Sequence, residues 1–429
     1  MNVIYNAGIN LYRGAAHLAG LGSAKVRHML HGQAETLERL KAFRRELAPE
    51  GFDLWIHAAS LGEFEQGRPI IDALLAHNAD TKILLSFFSP SGYEVRCNYD
   101  PRVAVVYLPF DLPGNVKEFL DIASPKMSIF VKYEFWGNYL SELKRRAIPT
   151  YIVSAIFRPG QIFFRPWGGP FRKMLGCFNR LFVQDRRSQE LLAGVDVENV
   201  TVAGDTRFDR VTAIRAKRRD IASVELFKSA HPDAYTLVVG SSWEKDEDVY
   251  VPVLKKHDNV CAIIAPHEFD KDRLSAMRRR LGSDSTMLFS DFERLYKEDS
   301  KAAAKVASAI RYLIIDCYGL LSSLYRYADI AYVGGGFGVG IHNINEAAVY
   351  GIPVIFGPNY AKFNEAVELI ALEGAFSVDG GDGFAVLFDR LVSDDRFRSG
   401  AGAKAAGYIE SKVGATPIII ESIFGIKTS

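Results

Sequence analysis

The stretch Asp53-Leu54-Trp55-Ile56-His57-Ala58-Ala59-Ser60-Leu61-Gly62-Glu63-Phe64-Glu65 decides the fold. Its first six residues form a short, mostly apolar run, the signature of a strand buried on both faces. Ser60 and Glu63 then stand three apart ahead of the helix-like segment Gly67–His77, a pairing that marks a helix N-terminus. A strand that hands straight to a helix is half of a βαβ unit. Outward from it the same rhythm recurs at Lys82–Phe87, Val103–Leu108, Met127–Val131, Thr150–Val153 and Arg180–Val183, with Gly114–Ile122 as another helical stretch. The reading is a doubly wound parallel sheet.

A second series follows at Thr236–Gly240, Val260–Ala265, Thr286–Phe289, Tyr312–Asp316, Ile330–Gly334 and Pro353–Phe356. At 429 residues the chain exceeds the usual size of one core, so two α/β domains are expected. The polar stretch Arg207–Asp220 is where the chain passes between them. The expected division is an N-terminal helical segment over 1–48, a first Rossmann-like domain over 49–210 and a second over 211–429. Two such sheets facing a cleft bind ligands outside the carboxyl ends of their strands.

Fifty-two Lys and Arg against 51 Asp and Glu leave a net charge of +1, which gives no field for nucleic acid. Cys97, Cys177, Cys261 and Cys317 are far apart and form no C-x-x-C pair, arguing against a zinc site or disulfide framework and suiting a reducing cytoplasm. The nine histidines form no H-E-x-x-H, and neither a Gly-x-Ser-x-Gly elbow nor a Walker loop is present. Zinc hydrolysis, serine chemistry and ATP hydrolysis are therefore unsupported.

In the first thirty residues Val3, Ile4, Tyr5, Ile9, Leu11, Tyr12, Ala15, Ala16, Leu18 and Ala19 recur at helical spacing, interrupted by Asn6, Asn10, Arg13 and His17. The stripe is too interrupted to span a bilayer and lacks the basic start of an export signal. Two readings stand: a helix on a membrane surface, aided by Lys25, Arg27, Arg39, Lys41, Arg44 and Arg45, or a helix packed on the protein's own sheet.

Three loops after strands are candidate sites. Glu63 is placed either as a general base for an attacking hydroxyl or as a capping carboxylate for Ser60. The second loop is Gly334-Gly335-Gly336 through Ile341 into His342-Asn343-Ile344-Asn345-Glu346, where glycines and a helix N-terminus suit a phosphate and Glu346 suits ribose hydroxyls. Asn343 and Glu346 also have cap spacing, and the order of the glycines does not match the dinucleotide fingerprint. The third is Gly240-Ser241-Ser242-Trp243-Glu244, suited to an anion. Beside it Asp246-Glu247-Asp248 reads either as a metal-nucleotide signature or as an acidic first helical turn.

Taken together these segments resemble the 3-deoxy-D-manno-octulosonic acid (Kdo) transferase family from about residue 50 to 370. The likeness rests on His57 to Glu63, on Tyr107-Leu108-Pro109-Phe110-Asp111-Leu112-Pro113, and on Tyr133-Glu134-Phe135-Trp136-Gly137-Asn138, similar to a Glu-Leu-Trp-Pro-Asn element. It continues through Gly204-Asp205-Thr206-Arg207-Phe208-Asp209, similar to Gly-Asn-Leu-Lys-Phe-Asp, then His342-Asn343 to Glu346, Gly351-Ile352-Pro353-Val354 and Phe356-Gly357-Pro358. The resemblance implies a GT-B glycosyltransferase moving Kdo from CMP-β-Kdo to the 6′-hydroxyl of a tetra-acylated lipid A precursor, inverting, with no metal or cofactor. It implies Glu63 as general base, Glu134 as a second catalytic glutamate lining the acceptor side, and Ser60, Gly62 and Arg207 as substrate-binding residues. Ser241, Ser242, His267, Gly319, Leu320, Asn343 and Glu346 fall on or near the CMP side as nucleotide-binding residues, although Leu320 stands where a glutamate usually follows the glycine. Lys132, Pro266 and the loop Gly338–Ile341 also depart from the family pattern. The implied location is the cytoplasmic face of the inner membrane, as a peripheral protein. The alternatives are another GT-B enzyme, using a UDP-sugar or epimerising a nucleotide sugar, and an inactive membrane-associated binding module.

Overall fold

The computed structural model describes residues 3–217 and 219–427 and contains two seven-stranded, wholly parallel sheets. The first sheet comprises β1 (Leu54–His57), β2 (Ile83–Phe87), β3 (Val103–Tyr107), β4 (Ser128–Val131), β5 (Thr150–Ala155), β6 (Arg180–Val183) and β7 (Val200–Val202), in the order β3-β2-β1-β4-β5-β6-β7. Side chains alternate between two buried faces: Trp55, Leu84, Ala104 and Phe130 enter one core while Leu54, Ile56, Leu85 and Ile129 enter the other. Burial on both sides is why these strands read as continuous apolar runs.

The second sheet comprises β8 (Tyr235–Ser242), β9 (Val260–Pro266), β10 (Thr286–Leu288), β11 (Tyr312–Ile314), β12 (Ile330–Val333), β13 (Val354–Phe356) and β14 (Ala375–Ser377), in the order β10-β11-β9-β8-β12-β13-β14. Six strands were expected in each sheet. The additional strands, β7 and β14, have three residues each at a sheet edge and carry too little apolar sequence to stand out. In both sheets the order reverses beside the first strand, at β1/β4 and at β8/β12, and ligands of open α/β sheets bind at such switch points.

The chain divides into one unit of residues through Arg210 plus those from Val413 onward, and a second unit, Val211–Lys412. This differs from the expected 49–210 and 211–429 at both ends. The helix Ala415–Phe424 belongs to the first unit because Ile419 and Ile420 enter its core and Asp209 caps the helix start. Asp209 accepts from the Gly414 N–H (2.6 Å), the Thr416 N–H (2.7 Å) and the Thr416 hydroxyl (2.9 Å). The stretch read as a linker is itself a helix, Thr206–Ala216, with Phe208 and Val211 buried.

Residues 3–48, the described part of the expected 1–48 segment, are likewise not separate. The helix Val3–Gly22 docks through Tyr5, whose hydroxyl donates to buried Asp111 (2.6 Å), and through Asn6, whose Oδ1 accepts from Asn138 Nδ2 (2.8 Å). Asp111 also accepts the N–H groups of Asn138 and Tyr139, so the Tyr107–Pro113 motif ties the N-terminal helix to the start of the helix Gly137–Arg145. The apolar stripe thus splits into two faces. Ala16 and Gly20 are buried, Tyr5 is half-buried and Tyr12 lies against Phe88 and Phe110 while still exposed, whereas Val3, Ile4, Leu11, Leu18 and Leu21 remain 71–84% exposed. Four of the six cations that could aid a membrane-surface helix have protein partners: Arg27 binds the carbonyls of Gly20 and Leu21, Arg39 lies over Tyr93, Lys41 pairs with Glu38, and Arg44 binds the Ala48 carbonyl. Among the described residues no helix is long and apolar enough to cross a membrane.

Candidate active site

At the first switch point β1 ends in His57, in register with Ser86 on β2 and Phe130 on β4. The imidazole is fully buried and cannot meet a ligand. Its Nδ1 lies 2.9 Å from the Ser86 hydroxyl and its Nε2 3.1 Å from Glu134 Oε2. The same Glu134 oxygen accepts the Trp136 indole N–H at 2.5 Å. Glu134, expected on the acceptor side, is therefore 8% exposed and locked between His57 and Trp136. Its geometry is that of a residue that fixes the loop after β4.

Glu63 lies in the first turn of the helix Leu61–His77, where its Oε2 accepts the Ser60 N–H at 3.1 Å. Capping and an acid–base role are compatible here, since one oxygen makes the cap and the group remains only partly buried. Burial, reinforced by the nearby Glu134 charge, pushes the carboxyl up to about 7, although Lys132 and the Ser60 and Ala59 N–H groups pull the other way. Lys132, which departs from the family pattern, sits at φ 66° with its N–H bonded to Val153 O (2.9 Å) and its ammonium over the Tyr133 ring. Gly62 is exposed beside Ser60. Arg207 donates from Nε and Nη2 to one oxygen of Asp205, Oδ2 (2.9 and 2.8 Å), and Asp205 is buried and also held by Gln66, so the Gly204–Asp209 motif braces this edge of the sheet.

The second switch point brings the loops after β8 and β12 together through Asp246. Its carboxylate accepts the N–H groups of Trp243 and Gly335 at 2.9 Å each, and the Tyr332 hydroxyl at 2.9 Å. Burial raises its pKa. Glu247 pairs with Arg273 and Arg280, and Asp248 with Arg280. The acidic triplet thus lies at the start of the helix Glu244–Leu254, with Asp246 and Glu247 in its first turn and each member engaged by the protein, and the metal-nucleotide reading gives way.

The glycines serve close packing. A Cβ on Gly334 would lie 2.4 Å from Ser241 O, and one on Gly336 2.5 Å from Gly357 N. Several loop amides expected for a phosphate have internal acceptors instead: Gly335 N–H goes to Asp246, and those of Gly338 and Gly340 to Gly335 O.

Glu346 accepts from Asn343 Nδ2 (3.1 Å) and from the Ser322 hydroxyl, and remains half-buried at the start of the short helix Asn345–Ala348. Ser241 adopts φ 52°, while Ser242 is buried with its hydroxyl 2.9 Å from Tyr250 OH and is not available as a ligand contact. His267 stacks on both Trp243 (centroids 4.3 Å) and His342 (4.6 Å). Gly319 is open at φ 84°, but the Leu320 side chain is 6% exposed, which removes it from the candidate contacts. Trp243 and His342 carry no site signal in the sequence beyond the motifs that contain them. Their ring contact depends on the strand order, which no local signal encodes.

A family model described as 3-deoxy-D-manno-octulosonic-acid transferase (kdotransferase) matches residues 32–210. The chain is 25% identical over 381 residues to a 3-deoxy-D-manno-octulosonic acid transferase of Chlamydophila psittaci, covering 84% of this chain and 82% of that protein. It is 26% identical over 327 residues to the Aquifex aeolicus enzyme of that name, covering 75% and 80%. For the Haemophilus influenzae enzyme the figures are 25% over 388 residues, covering 86% of each. Among solved structures, a UDP-GlcNAc 2-epimerase from Neisseria meningitidis shares the fold, with a TM-score of 0.59 at 14% identity over 87% of this chain and all of that one. With GT-B architecture and matching sequence on most of its length, the chain is a glycosyltransferase similar to the Kdo transferases.

Proposed function

We propose that this glycosyltransferase moves Kdo from CMP-β-Kdo to the 6′-hydroxyl of a tetra-acylated lipid A precursor, with Glu63 as general base. The observation that carries the proposal is the Glu63 carboxyl, set at the sheet's switch point and raised to about 7 by burial and by Glu134. A base of that strength is substantially ionised near neutral pH and still basic enough to accept the hydroxyl proton. As the acceptor oxygen bonds to the anomeric carbon, the bond to the CMP phosphate oxygen breaks on the opposite face. The anomeric centre inverts, the proton goes to Glu63, and CMP leaves. In the second unit, Ser241, His267, Asn343 and Glu346 bind the CMP moiety, with Glu346 accepting from ribose hydroxyls. No metal or cofactor is part of the proposal.

The acceptor is a glycolipid, and the exposed face Val3, Ile4, Leu11, Leu18 and Leu21 supports peripheral attachment to the cytoplasmic leaflet of the inner membrane. The test is mass spectrometry of the lipid acceptor incubated with CMP-Kdo generated in situ, comparing wild type with Glu63→Ala. A Kdo mass increment that vanishes in the variant while CMP binding persists is the expected result. An unmodified acceptor with wild type would overturn the donor and acceptor, and unchanged turnover in the variant would overturn the base.

A further inference from the structure

We infer that Trp243 is a positioning residue that holds His342 in its Nδ1–H tautomer, so that the second unit offers a neutral hydrogen-bond donor to the phosphate of the sugar nucleotide; the ligand half rests on the donor-binding reading above. The indole nitrogen can only donate, and Trp243 Nε1 lies 3.3 Å from His342 Nε2. His342 Nε2 is therefore the acceptor, and the proton of the neutral ring sits on Nδ1. Among the described residues none hydrogen-bonds that Nδ1–H, which leaves it available for a ligand.

The rings are held from two sides. His267 stacks on Trp243 at an interplanar angle of 24° and on His342 at 29°, and its backbone N–H donates to Ser242 O at 2.9 Å. Fully buried Asp246 binds the backbone N–H groups of Trp243 and Gly335, clamping the two loops that carry the indole and the imidazole. His267, in ring contact, acts directly on His342, Glu268 acts on His267, and the Asp246 carboxylate holds the N–H of Gly335, whose backbone lies beside the imidazole. Burial, with His267 adding to it, lowers His342 to about 4, and burial also lowers His267, so His342 stays neutral through the ordinary working range. A neutral donor whose proton position is fixed by a neighbour recognises phosphate without a pH-dependent charge.

The test starts with the full-length protein labelled with ¹⁵N-histidine, without nucleotide, the His342 signals being identified by their loss in His342→Asn. Wild type is expected to show the Nδ1–H tautomer, and Trp243→Phe, which keeps an aromatic ring for stacking, to shift it toward the Nε2–H form. CMP affinity is expected to fall about tenfold in Trp243→Phe, the scale of one hydrogen bond to a charged group. The donor KM should rise in proportion while kcat changes less. His342→Asn, whose amide nitrogen lies where Nδ1 lies, should keep CMP affinity close to wild type, whereas His342→Ala should lose about tenfold. An Nε2–H or mixed tautomer in wild type overturns the proposal, as does a tautomer change in Trp243→Phe with CMP affinity intact. Wild type with the Nδ1–H tautomer but no CMP affinity overturns the ligand assignment together with the donor reading, and leaves the ring geometry standing. If Trp243→Phe does not fold, the wild-type tautomer and the contrast between His342→Asn and His342→Ala decide the matter.

Discussion

Glu63→Gln tests the electrostatics of the active site through stability, without a substrate. The ordinary carboxyl value of 4.5 rises to about 7 in the folded protein, because burial and Glu134 disfavour the ionised form. At 1.36 kcal/mol per pH unit, that rise makes the ionised folded state less stable by ~3 kcal/mol. Between the two values the native state binds more protons than the unfolded chain, so this contribution to stability falls as pH rises from about 4.5 to about 7 and is flat outside that window. Glutamine removes the titration while its amide oxygen can still accept the Ser60 N–H. The variant should match wild type near pH 4 and exceed it by ~2–4 kcal/mol at pH 8. For a unit of this size that is about 5–15 °C in Tm. Thermal unfolding followed by tryptophan fluorescence at pH 4.5, 6 and 8 measures the difference. A Tm gap that is the same at every pH would refute the claim that Glu63 carries a raised pKa.

Glu134→Gln removes the charge that helps raise Glu63, so the acid limb of the pH dependence of kcat/KM should move to lower pH, as read by steady-state kinetics from pH 5 to 9. Asp209→Ala deletes the three hydrogen bonds that start the helix Ala415–Phe424, and a loss of ~2 kcal/mol with faster amide exchange confined to that helix is expected by hydrogen-exchange mass spectrometry. Replacing Leu11 and Leu18 by Glu places charge on an exposed apolar face. Binding to anionic vesicles should drop at least tenfold in a flotation assay with Tm unchanged, and unaltered flotation would remove the helix from the membrane argument.

Much of this architecture is legible in the chain because its physics is local. A strand with both faces buried has to be apolar at successive positions, so β1 to β6 stand out, and the Ser60-x-x-Glu63 pair marks where the first strand turns into a helix. The placement of Glu63 at the end of the first strand follows from the same few residues. The edge strands β7 and β14 carry no comparable signal, since three residues at an edge need no such run.

Other properties are set by neighbours distant in sequence. Glu134 reads as a ligand contact until His57, 77 residues away, and Trp136 take both its burial and its hydrogen bonds. Ser242 and Leu320 read as binding residues until Tyr250 and the core claim them. The acidic triplet Asp246-Glu247-Asp248 is ambiguous in sequence, and the loop amide of Gly335 and the guanidinium groups of Arg273 and Arg280 decide its role. The sequence by itself determined which residues form strands and which loops follow them, because hydrophobic period and capping are short-range. Only the tertiary structure decided strand order, the return of the C-terminal helix to the first unit, and the protonation of Glu63 and His342. Those depend on which charges and rings folding brings within a few ångströms.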